Sequence, residues 1–217
     1  LAYLAVAALL ALTTLFSPGF LAPSHLRSIA VLAAFIGIVG TPLAGRMVDA
    51  YGHALHSIVF ASLLLMGSHL LLITYVLNWV DSTGVAGVCV CVVALVAVGA
   101  SFSIATASIW PLVPFLLPPS QLATGYGTMA SVEKLGLAVM PLVISSVQDA
   151  NSIKGTTWQY AVPLVLLMCT AAIAACIAGV QIHIDSKYHG GMLNKPAAQR
   201  TMPTEPDQHV SSSATHA

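Results

Sequence analysis

The segment Gly45–His53, GRMVDAYGH, is a short polar turn set between two apolar runs, Ser28–Ala44 and Leu55–Leu77. A membrane helix needs about 20 mostly apolar residues at about 1.5 Å each, so both runs are long enough to cross a bilayer. The chain must therefore fold as a tight helical hairpin at this point. The residue types suit that geometry. Gly45 lets a neighbouring helix come close, Asp49 can accept from the exposed N–H groups of a helix start, and Gly52 permits a positive-φ turn.

Composition excludes the soluble alternatives. Charged residues make up 6% of the chain, against about 25% in typical globular domains. Hydrophobic residues reach 58% and mean hydropathy is +0.91, so the lipid bilayer is the main solvent. Seven Lys+Arg balance seven Asp+Glu, which leaves no basic surface for nucleic acid. In hydrocarbon only helices or closed barrels satisfy the backbone. Barrel strands alternate apolar and polar residues, whereas these runs are continuously apolar, so the expected fold is an all-α polytopic membrane bundle. Cys89, Cys91, Cys169 and Cys176 fall inside apolar runs, form no CxxC pair and read as small packing residues.

Six spans are expected: Leu1–Phe16 (a truncated first helix, since no basic leader marks it as a signal peptide), Ser28–Val48, Leu55–Leu77, Gly84–Ile109, Tyr126–Val147 and Trp158–Ile182. Ser17–Arg27, with Pro18, Gly19 and Pro23, reads as a loop, and Asn78–Thr83 as a brief turn. In the second span Gly37, Thr41 and Gly45 recur every four residues, a stripe suited to close helix contact. The fourth stops at Trp110-Pro111, because WPLVPFLLPP holds four prolines that no regular helix could contain. Residues 1–182 then form the bundle, and 183–217 a polar, disordered tail. Arg46, Lys187, Lys195 and Arg200 on one side, against Arg27 and Lys154 on the other, make the tail side cytosolic.

The order Gly45, three residues, Asp49, two residues, Gly52 resembles the loop signature of the major facilitator superfamily, the twelve-helix secondary transporters. Ala50 stands where that family usually has Arg or Lys, and only His53 follows Gly52. Three later segments, WPLVPFLLPPSQLATGYG (Trp110–Gly127), EKLGLAV (Glu133–Val139) and GGMLNKPAAQR (Gly190–Arg200), resemble the lysosomal dipeptide transporter branch of that superfamily. The resemblance implies the C-terminal half of a facilitator fold, in which two six-helix halves face a central cavity. It also implies export of dipeptides across the lysosomal membrane by alternating access, with a glycosylated accessory membrane protein as partner. Two rival readings are a facilitator for another small solute such as a sugar, and a facilitator-like membrane protein that does not transport.

Three residues are candidates for lining the substrate path. Glu133 and Lys134 are the charged residues well inside an expected span, and intramembrane ionisable groups usually face a cavity or a partner. Counted from Tyr126, Glu133 lies about 10 Å into its helix, shallow enough that Lys134 could instead snorkel to the interface. Trp110 offers a flat apolar face and one N–H donor at a helix break, and the resemblance places it in the binding cavity; its other reading is an interfacial anchor. His69 is expected mid-span, bonded to a nearby Ser or Thr, with a proton relay as the rival. No GxSxG, GxxxxGK[ST] or HExxH motif occurs, and no metal-ligand spacing, so neither an enzyme nor a cofactor is expected.

Overall fold

The computed structural model describes residues 24–77, 85–152, 155–188 and 190–200. Five long helices dominate them: α1 (Ser24–Tyr51), α2 (Ala54–Val76), α3 (Val85–Ile109), α5 (Leu122–Asn151) and α6 (Thr156–Tyr188), with a single turn α4 (Val113–Leu116) between α3 and α5. Ala54–Val76, Ala86–Leu116, Pro119–Asn151 and Thr157–Tyr188 are each long and apolar enough to span a membrane, so the fold is an all-α polytopic bundle. The expected first span, Leu1–Phe16, and the turn Asn78–Thr83 lie outside the described residues.

Packing runs in the spatial order α1, α3, α2, α6, α5. One core joins Ile58 and Leu65 of α2, Val98 of α3 and Leu167 and Ala171 of α6; a second joins Leu72, Leu95 and Leu164 towards the other end. Buried hydroxyls on these faces bond within their own helices, as Ser62 does to the Ile58 carbonyl and Ser101 to that of Val98. These two hydroxyls thereby enter an apolar core with their donors satisfied. Small residues set the α1–α3 contact: a Cβ added at Gly40 would lie 2.7 Å from Ser103 Oγ, and that oxygen is 3.3 Å from the α1 carbonyls of Ile36 and Gly37. The stripe is therefore Gly37 and Gly40. Gly45, expected to admit a neighbouring helix, has nothing within 4 Å of an added Cβ among the described residues.

Two expectations about boundaries change. The fourth α-helix does stop at Ile109, as expected, but the apolar span runs on to Leu116: the chain tightens to a 3-10 turn at Trp110–Leu112, makes α4, extends at Leu117 and Pro118, and restarts at Pro119. Each proline falls in a first turn or an extended position, where its missing N–H removes no helical bond. Nor is the segment after residue 182 a loose tail throughout. Helix α6 runs on to Tyr188, a left-handed Gly190–Gly191 pair reverses the chain, and Met192–Arg200 returns across the bundle as two 3-10 turns with Leu193 and Arg200 buried. Residues 201–217 lie outside the described part.

Candidate functional site

The strap Met192–Arg200 organises one end of the bundle. Its anchor is Asn194. The His53 N–H donates to the Asn194 carbonyl at 2.7 Å, and the Leu55 N–H donates to Asn194 Oδ1 at 3.0 Å. His56 Nδ1 lies 3.2 Å from the same oxygen. The free N–H groups that begin α2 are thus capped by a residue 139 positions away, a task expected of Asp49. Gly52, at φ 77°, turns the chain beneath the strap, and an added Cβ would lie 2.7 Å from the Lys195 carbonyl carbon and Pro196 nitrogen.

Asp49 instead acts on the other end of the strap. Arg200 Nε donates to the Lys195 carbonyl at 2.8 Å, and its guanidinium stands 5.4 Å from the centroid of the Phe115 ring. Burial pushes the Arg200 pKa below the ordinary arginine value, and the negative charge of Asp49 opposes that shift. Arg200, from the C-terminal segment, thus feels the charge of Asp49 where Ala50 supplies no cation in the loop, while its Nη1 and Nη2 are buried with no hydrogen-bond partner among the described residues. These contacts also put the Gly45–His56 turn, the α4 segment and the strap on one side of the bundle, as counting hairpins requires.

The three substrate-lining candidates separate into two positions. Trp110, half-buried where α3 tightens, stacks on Tyr126 of α5, with centroids 5.9 Å apart and planes 12° from parallel. The sequence signal for Tyr126 is its place within the Trp110–Gly127 segment. Because α5 begins at Leu122, Glu133 lies about 16 Å from the helix start, deeper than counting from Tyr126 gave. Tyr126 and Glu133 are seven residues apart, hence on one helical stripe about 10 Å from each other along the axis. That stripe continues through Leu137 to buried Met140 and Ile144, so it is the face turned to the bundle.

Lys134 points away from that stripe. Its side chain is 71% exposed against 26% for Glu133, and its Nζ lies 3.5 Å from Glu133 Oε1. Only 11% of the α5 span is buried within the described bundle. A charged pair halfway along so open an apolar helix is disfavoured against lipid, and intramembrane ionisable groups usually face a cavity or a partner. The arrangement offers an aromatic wall, a carboxylate deeper on the same stripe and an ammonium beside it. Those are the groups that recognise a small zwitterion with an apolar side chain.

His69 is fully buried on α2, with Nδ1 donating to the Leu65 carbonyl at 2.7 Å rather than bonding a Ser or Thr; Nε2 has no partner among the described residues. Of the cysteines only Cys91 is packed, while Cys89, Cys169 and Cys176 are exposed on the helix surfaces.

The class defined by these features is a multi-pass membrane helical bundle with a charged intramembrane pair. Comparison with curated proteins sharpens it. The lysosomal dipeptide transporter MFSD1 of Danio rerio is 29% identical over 186 residues, 85% of this chain and 36% of that protein. The proteins of the same name from Mus musculus and Homo sapiens are 29% and 26% identical over 161 residues each, 74% of this chain and 30% of theirs. The resemblance carried by Trp110–Gly127 and Gly190–Arg200 is therefore upheld across most of the chain. The chain spans about a third of the length of the curated relatives it matches. No family model matches it, and no solved structure matches it significantly.

Proposed function

We propose that this chain is the C-terminal helical half of a facilitator-type secondary transporter that moves dipeptides out of the lysosome by alternating access. The single observation that carries the reading is similarity along 74–85% of the chain to proteins named lysosomal dipeptide transporters. The geometry supports it. The strap ties the α1–α2 turn, α4 and the end of α6 together, which favours motion of these helices as one body against a second bundle. No bond is made or broken in such a cycle.

In this reading the Tyr126–Glu133 stripe of α5, with exposed Lys134 beside it, lines the substrate path. A dipeptide is a zwitterion. Glu133 accepts its ammonium and Lys134 meets its carboxylate, the two side chains lying 3.5 Å apart. The Trp110–Tyr126 stack takes an apolar side chain of the peptide on its way to the tail side. A glycosylated accessory membrane protein belongs to the same reading, carried by the family resemblance alone; co-purification from native membranes tests it.

Flux of a labelled dipeptide into proteoliposomes containing the intact protein tests the whole proposal. Saturable uptake, competed by unlabelled dipeptides and not by glucose, supports it. Sugar competition with no dipeptide effect assigns another solute, and no flux in a well-folded preparation assigns a non-transporting role.

A further inference from the structure

Beneath Leu193 of the strap lies a cavity of about 220 Å³, at the tail-side end of the bundle. Leu55 and Ile58 of α2, Leu112 after α3 and Met129 of α5 form its inner wall, so it adjoins the Tyr126–Glu133 stripe. Three further lining residues stand at the surface: Leu116 is 55% and Ile184 44% exposed, and Gln181 is exposed beside them. They put the mouth between the α4–α5 corner and the end of α6. Packing is thin there, because α6 lies against α2 far more closely than against α5. Asp185 borders the cavity with its carboxylate turned into the protein: Oδ1 accepts the Leu193 N–H at 3.3 Å, and Oδ2 is shielded. The open wall is therefore almost wholly aliphatic.

Helix lengths give the depth. Helix α2 has 23 residues, about 35 Å, and so nearly matches a hydrocarbon core of about 30 Å. Leu55 then stands at the hydrocarbon boundary and Ile58 about one turn inside it. Helix α6, with 33 residues, overshoots that core, and Lys187 and Tyr188 end it on the water side of the mouth. Tyr188 follows Ile184 by four residues and Gln181 by seven, so it stands directly above the mouth on the same helical face. Its ring is exposed, and Lys187 Nζ lies over it at 5.4 Å. Exposed Lys195 of the strap adds a second cation at this end, whereas Asp185 is only 1% exposed. An aliphatic hollow at the edge of the hydrocarbon thus opens beneath an exposed aromatic ring and an ammonium.

The geometry points to a lipid site: the cavity holds the upper part of one acyl chain of an anionic phospholipid, and Lys187 meets its phosphate. The bilayer supplies acyl chains at this depth, and an aliphatic wall offers water no hydrogen-bond partners. A dry apolar cavity of about 150 Å³ admits benzene, so this one admits a short run of methylenes. Outside the mouth the ammonium attracts an anionic headgroup, and Tyr188 sits where interfacial aromatic residues anchor helices. The site does not depend on dipeptide transport.

The test uses the intact protein, delipidated in detergent and titrated with dioleoyl phosphatidylglycerol, with bound lipids counted by native mass spectrometry. One lipid should be retained after the others dissociate, about fivefold more tightly than dioleoyl phosphatidylcholine, the preference one interfacial lysine confers. Ile184→Trp, which obstructs the exposed mouth, should abolish retention of either lipid while the lipid-free unfolding temperature stays at the wild-type value. Leu112→Trp, which fills the cavity from within, should do the same, and agreement between the two separates blockage from misfolding. Lys187→Gln should remove the preference for phosphatidylglycerol and leave phosphatidylcholine binding unchanged. Glycerol 3-phosphate, which carries the anion and no chain, should not compete. Retention unchanged in both tryptophan variants, a charge preference that survives Lys187→Gln, no retained lipid in the wild type, or competition by glycerol 3-phosphate overturns the proposal. So does displacement of the lipid by a dipeptide with an apolar side chain, which would give the cavity to the substrate path.

Discussion

Asn194 Oδ1 accepts the N–H of Leu55 at 3.0 Å, joining the segment after the last helix to the second residue of α2, 139 positions earlier in the chain. The His53 N–H bonds the same residue's carbonyl, so Asn194 closes the start of α2 from outside the helix. An N-cap is usually local; here the local candidate, His53, makes no side-chain cap.

Asn194→Ala should destabilise the protein by about 1–2 kcal/mol, the usual loss when a cap is removed from N–H groups with no other partner. Asn194→Asp keeps the acceptor oxygen and should recover most of that. Thermal unfolding in detergent, with wild type and both variants side by side, checks the pair. Equal stability of Asn194→Ala and wild type would show that the strap does not cap α2.

The two glycines of the turn should respond differently. Gly52→Ala combines a left-handed backbone with overlap against Lys195 and Pro196, and the backbone part alone is worth about 1–2 kcal/mol. Gly45→Ala meets open space and replaces a mid-helix glycine, so it should be neutral or slightly stabilising within these helices. Expression level and unfolding temperature of the two variants give the comparison; an equal loss in both would put an undescribed neighbour against Gly45.

Much of this architecture is legible in the sequence, because continuous apolar runs in a chain with so few charges leave helices as the one solution. The turn at Gly52, the three later helical spans and the positions of Glu133 and Lys134 follow from local pattern. The strap does not. Gly190–Arg200 is polar, and composition reads polar segments as solvent-facing, yet its order comes from one long-range cap, one buried arginine and one buried aspartate. Tyr126 escaped notice for a related reason: its stacking on Trp110 depends on how α3 and α5 meet, which prolines read one at a time do not reveal. The Gly37-Thr41-Gly45 stripe was displaced by a single step to Gly40, because the contact with Ser103 is set by α3 and not by α1.

Asp49 should govern gating and assembly and leave substrate affinity alone. It lies on the strap side, where its charge opposes the lowering of the Arg200 pKa that burial causes, away from the α5 stripe. Asp49→Ala should lower transport rate or expression while the concentration dependence of transport stays nearly unchanged. Initial-rate measurements normalised to protein in the membrane decide this; a large change in half-saturating concentration at normal expression contradicts it.

Glu133 should matter more than Lys134 for recognition, since it lies on the bundle-facing stripe and Lys134 is mostly exposed. Glu133→Gln should weaken dipeptide affinity by about tenfold or more, as expected when a charge-assisted bond of about 1.5–3 kcal/mol becomes a neutral one. Lys134→Met should have a smaller effect. Competition binding with N-acetylated dipeptides adds a control, because a ligand without the ammonium should not distinguish Glu133→Gln from wild type.

The most direct measurement is equilibrium binding of a dipeptide with one aromatic residue to the purified intact protein and to its Trp110→Ala variant. Removing the ring that stacks on Tyr126 should weaken binding by about 1–3 kcal/mol, roughly five- to two-hundred-fold, while the variant still reaches the membrane and unfolds near the wild-type temperature. Unchanged dipeptide affinity in a well-folded Trp110→Ala protein would contradict the account and make this residue an interfacial anchor.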